Sequence, residues 1–175
     1  KTLRQQRRDH LASFLKQSDA LELIVGILCE ASILDTRPLS PNPENSRSFL
    51  EASRAEALKT LILTWLHSTK WNDLQGIEYL EHSGNRWPND PVSSRQTALH
   101  LLQEIPLGSW WGLEGFIEDV RVRQPAFQRP AGDFTSWYFK DNRSDSILHG
   151  IDDWDAVDGA VLRYLLRLPL PYQQQ

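Results

Sequence analysis

Four carboxylates crowd a short stretch near the C-terminal end of the chain, at Asp152, Asp153, Asp155 and Asp158. Clustered carboxylates of this kind can bind Mg²⁺ or Ca²⁺, which prefer oxygen ligands. The stretch lacks the D-x-D-x-D-G loop of a calcium site, and its spacing suits the first turns of a helix, where acidic side chains cap free N–H groups and oppose the helix dipole. We therefore interpret the four aspartates as a helix start and predict no metal site, leaving a metal-dependent hydrolase as the least favoured alternative.

Other side chains with catalytic chemistry are isolated from one another. The five histidines have no ligand spacing, and Cys29 lies in an apolar helical pattern, where it should be buried and unreactive. The chain contains neither a G-x-S-x-G nucleophile motif, nor a phosphate-binding loop, nor a dinucleotide fingerprint. The sequence thus predicts a protein that is not an enzyme, with no metal, cofactor or small-molecule substrate.

The composition is that of a folded, mildly acidic protein. The chain has 175 residues, 40% hydrophobic and 24% charged, with a net charge of −4. This charge argues against a general nucleic-acid binder, because phosphate binding needs clustered Lys and Arg. A single cysteine excludes an internal disulfide, and no apolar run is long enough to span a bilayer, so we expect a cytoplasmic location and no membrane partner.

In the first half of the chain, apolar spacing predicts three helices and an extended stretch. An amphipathic helix covers residues 3–16, and a nearly all-apolar helix covers residues 19–31. Residues 33–40 are predicted to be extended, because prolines interrupt and follow them. Ser53 and Glu56 form a capping box that begins the third helix.

In the second half, the patterns predict helices over 93–105, 112–124 and 152–168 and a β-hairpin over 137–149. Ser93 or Ser94 is the expected cap of the first of these helices. Trp110, Trp111 and Trp137 could stack on nucleic-acid bases, but their alternation favours packing in the core.

In the first half of the chain helices precede an extended stretch, and in the second half helices precede a hairpin. This repeated order predicts two modules of the same architecture. The expected fold class is mainly α with short β-hairpins, built from tandem winged-helix (helix-turn-helix) modules. The irregular segment 70–91 separates them, giving a first module over 1–90 and a second, with a C-terminal helix, over 91–175.

Several segments of the second half carry a family resemblance: Trp71-Asn72-Asp73-Leu74, Trp87-Pro88-Asn89-Asp90-Pro91, Trp110 to Ile117, Phe127-Gln128-Arg129-Pro130, Ser136-Trp137-Tyr138 and Trp154 to Ala160. The chain resembles large uncharacterised bacterial proteins of tandem winged-helix modules. Those modules are similar to the N-terminal helicase-associated region of XPB-type DNA helicases. The resemblance implies the winged-helix fold and a DNA-related role, and it is weaker in the first half, which matches mainly in pattern.

A winged helix places a helix in the major groove and its hairpin along the DNA backbone. The matching residues here lie at the end of the helix over 112–124, directly after it, or in the hairpin; the candidate DNA-binding residues are Arg121, Arg123, Gln124, Gln128, Arg129, Lys140 and Arg143. Arginine and lysine would contact phosphates, and arginine or glutamine could contact a base.

Two functions stay open at this point. The first is a non-enzymatic winged-helix fragment that binds duplex DNA, associated with a helicase or with transcription. The alternative is a winged-helix scaffold without DNA contact, which binds a protein partner or the remainder of a longer chain. Basic residues converging on one face would favour DNA, whereas interleaved acids such as Glu118 and Asp133 would favour the scaffold.

Overall fold

The computed structural model describes residues 20–82, 88–129 and 132–167, so the helix predicted over 3–16 lies outside the described residues. The chain divides into two compact units, residues 1–71 and 72–175. Within the described ranges the architecture is mixed α/β, with six α-helices and two small antiparallel sheets. No helix of those ranges is long and apolar enough to cross a membrane.

The division falls earlier than the boundary after residue 90 that the sequence suggested. Residues 72–81 belong with the second unit because they supply one strand of its sheet and the buried Asp73, which forms an ion pair with Arg95 at 2.6 Å. Both side chains of that pair are buried, so the segment is fixed to the helix that carries Arg95.

The first unit joins a short hairpin to three helices. Its elements are α1 (Ala20–Glu30), β1 (Leu34–Thr36), β2 (Leu39–Pro41), α2 (Pro43–Glu51) and α3 (Arg54–His67). The two strands pair antiparallel, as the proline-interrupted stretch allows.

Local capping interactions set the helix starts of this unit. The predicted capping box is confirmed: the Ser53 hydroxyl accepts from the Glu56 N–H, and the Glu56 carboxylate accepts from the Ser53 N–H at 3.0 Å. The core is small and includes Leu21, Ile27 and Trp65. Helix α2 buries none of its residues, so much of this unit's helical surface is open.

The second unit packs helices against a three-stranded antiparallel sheet of order β3-β4-β5. Its elements are a 3₁₀ turn (Asp73–Gly76), β3 (Leu80–Glu81), α4 (Pro91–Gln103), α5 (Leu113–Arg123), β4 (Tyr138–Asp141), β5 (Ser146–His149), a π-helical turn (Asp155–Gly159) and α6 (Ala160–Arg167). The predicted hairpin and the helix after Gly112 are confirmed.

The cap of α4 differs from the prediction. Asp90, not Ser93 or Ser94, is the N-cap, because its side chain accepts from the Val92 N–H and Pro91 occupies the first helical position. Ser94 lies inside the helix and donates its hydroxyl to the Asp90 carbonyl.

The core of this unit gathers one face of each element. Leu101 of α4, Val120 of α5, Phe139 of β4 and Leu162 of α6 are all buried. Trp154 lies among the buried residues and donates its indole N–H to the Pro125 carbonyl at 2.7 Å. A buried tryptophan thereby keeps its only donor satisfied.

The clustered aspartates do not all act as a helix start, because they have different partners. Asp153 accepts from the His149 N–H at 2.8 Å, and Asp155 pairs with Arg163 at 2.9 Å. Asp158 is fully buried and pairs with Arg129, so the expectation that it caps a helix is wrong. The π-helical turn places its carboxylate inside the unit rather than on the first turn of a regular helix.

Candidate interaction surface

Two of the seven candidate DNA-binding residues lie in the interior. Gln128 is 4% exposed and Arg129 is 5% exposed, so neither presents polar atoms to a duplex in this structure. Arg129 donates from Nη2 to Asp158 at 2.7 Å and from Nε to the other carboxylate oxygen at 3.2 Å. Its guanidinium also lies 4.7 Å from the centre of the Trp137 ring. These contacts make Arg129 a structural residue.

Gln128 extends the same buried network. Its Nε2 donates to Asp158 at 3.0 Å, and its Oε1 accepts from Asn89, whose own Oδ1 accepts from Asn72. Burial raises the pKa of the Asp158 carboxyl, although Arg129 and Gln128 act to lower it. The network holds together four segments that are distant in the sequence.

Arg121 and Arg123 lie on the surface but face acidic side chains. Arg123 donates to Glu104 at 2.6 Å and to Asp119 at 2.8 Å, and these two partners raise the pKa of Arg123. Arg121 lies 3.9 Å from Glu118. The acids thus interleave with the arginines along α5, as the scaffold hypothesis requires.

The two basic residues of the hairpin are paired in the same way. Lys140 lies 2.5 Å from Asp145, and Arg143 donates to Asp141 at 2.7 Å. Arg143 also covers the Tyr79 ring, 3.5 Å from its centre. Its hydrogen bonds lower the pKa of Asp141 to about 2, so this carboxylate stays charged in mild acid.

Two other polar residues complete the comparison with the sequence. Gln124 follows α5 and is exposed. Of the two glutamines among the candidate DNA-binding residues, it is therefore the one that lies on the surface. Asp133 forms its hydrogen bonds within its own turn: the Ser136 hydroxyl and the N–H groups of Ser136 and Thr135 donate to its carboxylate, and these hydrogen bonds lower its pKa to about 2.

The loop from Ile105 to Gly112, between α4 and α5, carries the most exposed apolar side chains in the described part of the second unit. Leu107 is fully exposed and Trp110 is 99% exposed, so the prediction that Trp110 packs in the core is wrong. Trp111 instead packs on Phe116, with ring centres 5.6 Å apart.

The loop has its own backbone contacts, which fix its shape. The Ser109 N–H donates to the Pro106 carbonyl, and Gly108 adopts a positive φ of 77°. A residue with a Cβ is disfavoured at that angle, so the glycine allows the turn that separates Leu107 from Trp110. The sequence offered a signal in Pro106-Leu107-Gly108, a turn with an apolar residue at its centre.

Metal and nucleophile chemistry gain no support from the described residues. Residues 20–82, 88–129 and 132–167 hold no group of three His, Cys, Asp or Glu side chains placed to bind a metal ion. Cys29 is partly buried, and burial raises the pKa of its thiol, which disfavours the reactive thiolate.

The second unit therefore exposes an apolar loop, over 105–112, and a charged surface on which the arginines of α5 already contact carboxylates. Comparison with protein-family models, with curated proteins and with solved structures finds no match to this chain.

Proposed function

We propose that this chain is a non-enzymatic pair of winged-helix-like modules whose second unit docks on another protein through the loop over 105–112. The order of two helices followed by a hairpin, in α4, α5 and β4-β5, supports the winged-helix reading of this unit, as does the family resemblance. The full exposure of Leu107 and Trp110 is the observation that carries the docking proposal.

Tryptophan side chains are seldom fully exposed in folded proteins. At protein interfaces, tryptophan is enriched among the residues that contribute most to the binding free energy. Trp110 and Leu107 project from a loop whose ends are held by helices α4 and α5. A loop held in this way loses little conformational freedom on binding, which favours affinity.

The state of the basic residues supports a protein partner over DNA. Arg121, Arg123, Lys140 and Arg143 each lie within 4.0 Å of a carboxylate. A phosphate would have to displace those carboxylates and would meet their repulsion as it approached.

Duplex DNA is the second candidate function, and one observation favours it. Arg143 is well exposed, and Lys140 and its partner Asp145 are also open to solvent. Exposed ion pairs contribute only about 0–1 kcal/mol each, so phosphates could compete for these two cations.

Fluorescence anisotropy with a labelled duplex separates the two functions. At about 50 mM salt, where phosphate contacts are only weakly screened, we expect no binding by the natural chain. We expect weak, salt-sensitive binding by a variant with Glu104→Gln and Asp119→Asn, because these substitutions release Arg123 from both of its carboxylates.

A matched control carries Asp35→Asn and Glu44→Gln, which change the net charge equally but lie in the first unit. It should bind no better than the natural chain. Tight binding by the natural chain, with log K falling steeply against log salt and lost in Lys140→Ala plus Arg143→Ala, would overturn the proposal in favour of DNA.

A further inference from the structure

The loop over 105–112 begins beside a cluster of ion pairs on α5. Arg123 donates to Glu104 at 2.6 Å and to Asp119 at 2.8 Å, so one cation serves two carboxylates. Glu104 is the C-cap of α4 and directly precedes the loop, whereas Gly112, the last residue of the loop, is the N-cap of α5. The loop therefore starts on the side of α5 that carries Asp119 and Arg123, and it passes back along this helix to its first residue.

The exposed face of α5 adds a third carboxylate to the cluster. The Glu118 side chain is well exposed and lies 3.9 Å from Arg121, which is a long distance for an ion pair. The guanidinium of Arg121 also lies 6.0 Å from the centre of the Trp154 ring, which is buried in the core. Val122 lies one turn after Glu118 and is exposed. On this side, α5 thus presents carboxylates next to apolar surface.

Carboxylates outnumber cations in this cluster. Its ion-paired members are three carboxylates, Glu104, Glu118 and Asp119, and two guanidinium groups, Arg121 and Arg123. His100 lies 3.9 Å from Glu104 and adds a positive charge only when it is protonated. At about pH 8, where histidine side chains are ordinarily neutral, the cluster therefore keeps an excess of negative charge at the start of the loop.

The other end of the loop is balanced in charge among the described residues. Glu114, in the first turn of α5, contacts Arg163, which also contacts Asp155. The hydrogen bond from Arg163 and, more weakly, the charge of Arg167 lower the pKa of Glu114. Two cations face two carboxylates there, so the negative excess lies on the Glu104 side of the loop.

We propose that the partner of this loop is a basic protein surface, on which lysine or arginine side chains flank an apolar cavity that receives Leu107 and Trp110. This inference rests on the docking function proposed above and specifies the chemistry of its partner. Cations of the partner meet Glu104 and Glu118 while the pair of Arg123 with Asp119 stays intact. The apolar anchors carry most of the affinity, and the surrounding charges favour the correct partner and speed its association. An acidic surface would instead bring carboxylates against carboxylates.

A phage-displayed library of random short peptides, with the full chain as bait at about pH 8, tests the proposal. A parallel selection against Trp110→Ala identifies the peptides that bind the loop, and circular dichroism confirms that this variant is folded. We expect the peptides lost with Trp110→Ala to be enriched in lysine and arginine over aspartate and glutamate, relative to the library. Their affinity should fall as salt rises from about 50 to 500 mM, because salt screens exposed charges.

A pair of charge variants tests the contribution of the cluster. Glu104→Gln with Glu118→Gln leaves Arg123 paired with Asp119 and turns the excess of carboxylates into an excess of arginines. It should weaken the binding of a selected peptide by about threefold to tenfold, measured by isothermal titration calorimetry. The control, Asp35→Asn with Glu44→Gln, changes the net charge equally in the first unit and should leave the affinity unchanged.

The outcomes separate this inference from the docking function itself. Peptides that depend on Trp110 but carry no excess of basic residues would overturn the basic partner and leave docking through the loop intact. An affinity that Glu104→Gln with Glu118→Gln leaves unchanged would do the same. A selection without any peptide that depends on Trp110 would overturn both proposals.

Discussion

Replacing Asp158 by Asn removes the charge that neutralises the buried Arg129 and keeps an oxygen that can accept from Gln128. The side chains of Arg129 and Asp158 are 2% and 0% exposed, so the guanidinium would be left in the interior without a counter-charge. Removing one member of such a pair costs about 3–5 kcal/mol. For a unit of this size each kcal/mol lowers Tm by about 4–8 °C, so Tm should fall by about 12 °C or more.

Urea unfolding at neutral pH measures this loss directly. Asp155→Asn is the matched control, since Asp155 lies in the same π-helical turn but its side chain is 62% exposed, and its loss should cost less than about 1 kcal/mol. A variant with both Arg129→Met and Asp158→Leu should recover much of the stability, because it leaves no buried charge. A cost below about 1 kcal/mol for Asp158→Asn would refute the assignment of Arg129 as a buried structural residue.

Three further predictions concern local structure. A Cβ on Gly76 would overlap the Tyr164 ring, so Gly76→Ala should cost about 1–3 kcal/mol in urea unfolding, whereas Gly115→Ala, with nothing within 4 Å, should not destabilise the chain. Ser53→Ala removes the capping box of α3 and should cost about 1 kcal/mol, measured by thermal unfolding; an unchanged Tm would contradict the cap. The pKa of Asp141 is lowered from 3.8 to about 2 in the folded chain, so the unfolded chain takes up this proton first and the free energy of unfolding falls as the pH drops from about 4 to about 2. Asp141→Asn should therefore make the fall of the unfolding free energy with decreasing pH shallower in this range. An unchanged dependence on pH would argue against the pairing of Asp141 with Arg143.

Local features of the fold could be predicted from the sequence because their causes are local. The capping box at Ser53 and Glu56 depends on two residues three positions apart. The hairpin depends on the polar turn between β4 and β5, in which Asp145 adopts a positive φ of 57° that Asp tolerates better than most residues. Such contacts leave a short signature in the sequence.

The buried network could not be predicted, because its members are far apart in the chain. Arg129 and Asp158 are 29 positions apart, and nothing near either residue indicates the other. From the sequence alone, Arg129 fits equally a surface contact with DNA or a buried ion pair, and only the folded structure distinguishes the two. Trp110 shows the opposite error, since its apolar type predicts burial although it lies in an exposed turn.

Photo-crosslinking in cells of the source organism tests the docking proposal most directly. A photoreactive phenylalanine analogue replaces Trp110 in one protein and Arg143 in another, so that each candidate contact reports its own neighbour. We predict that the analogue at position 110 forms a discrete protein adduct, and that Leu107→Ala in the same chain abolishes it. Nuclease-sensitive DNA adducts at position 143, with none to protein at position 110, would contradict the proposal and establish the hairpin as a DNA contact.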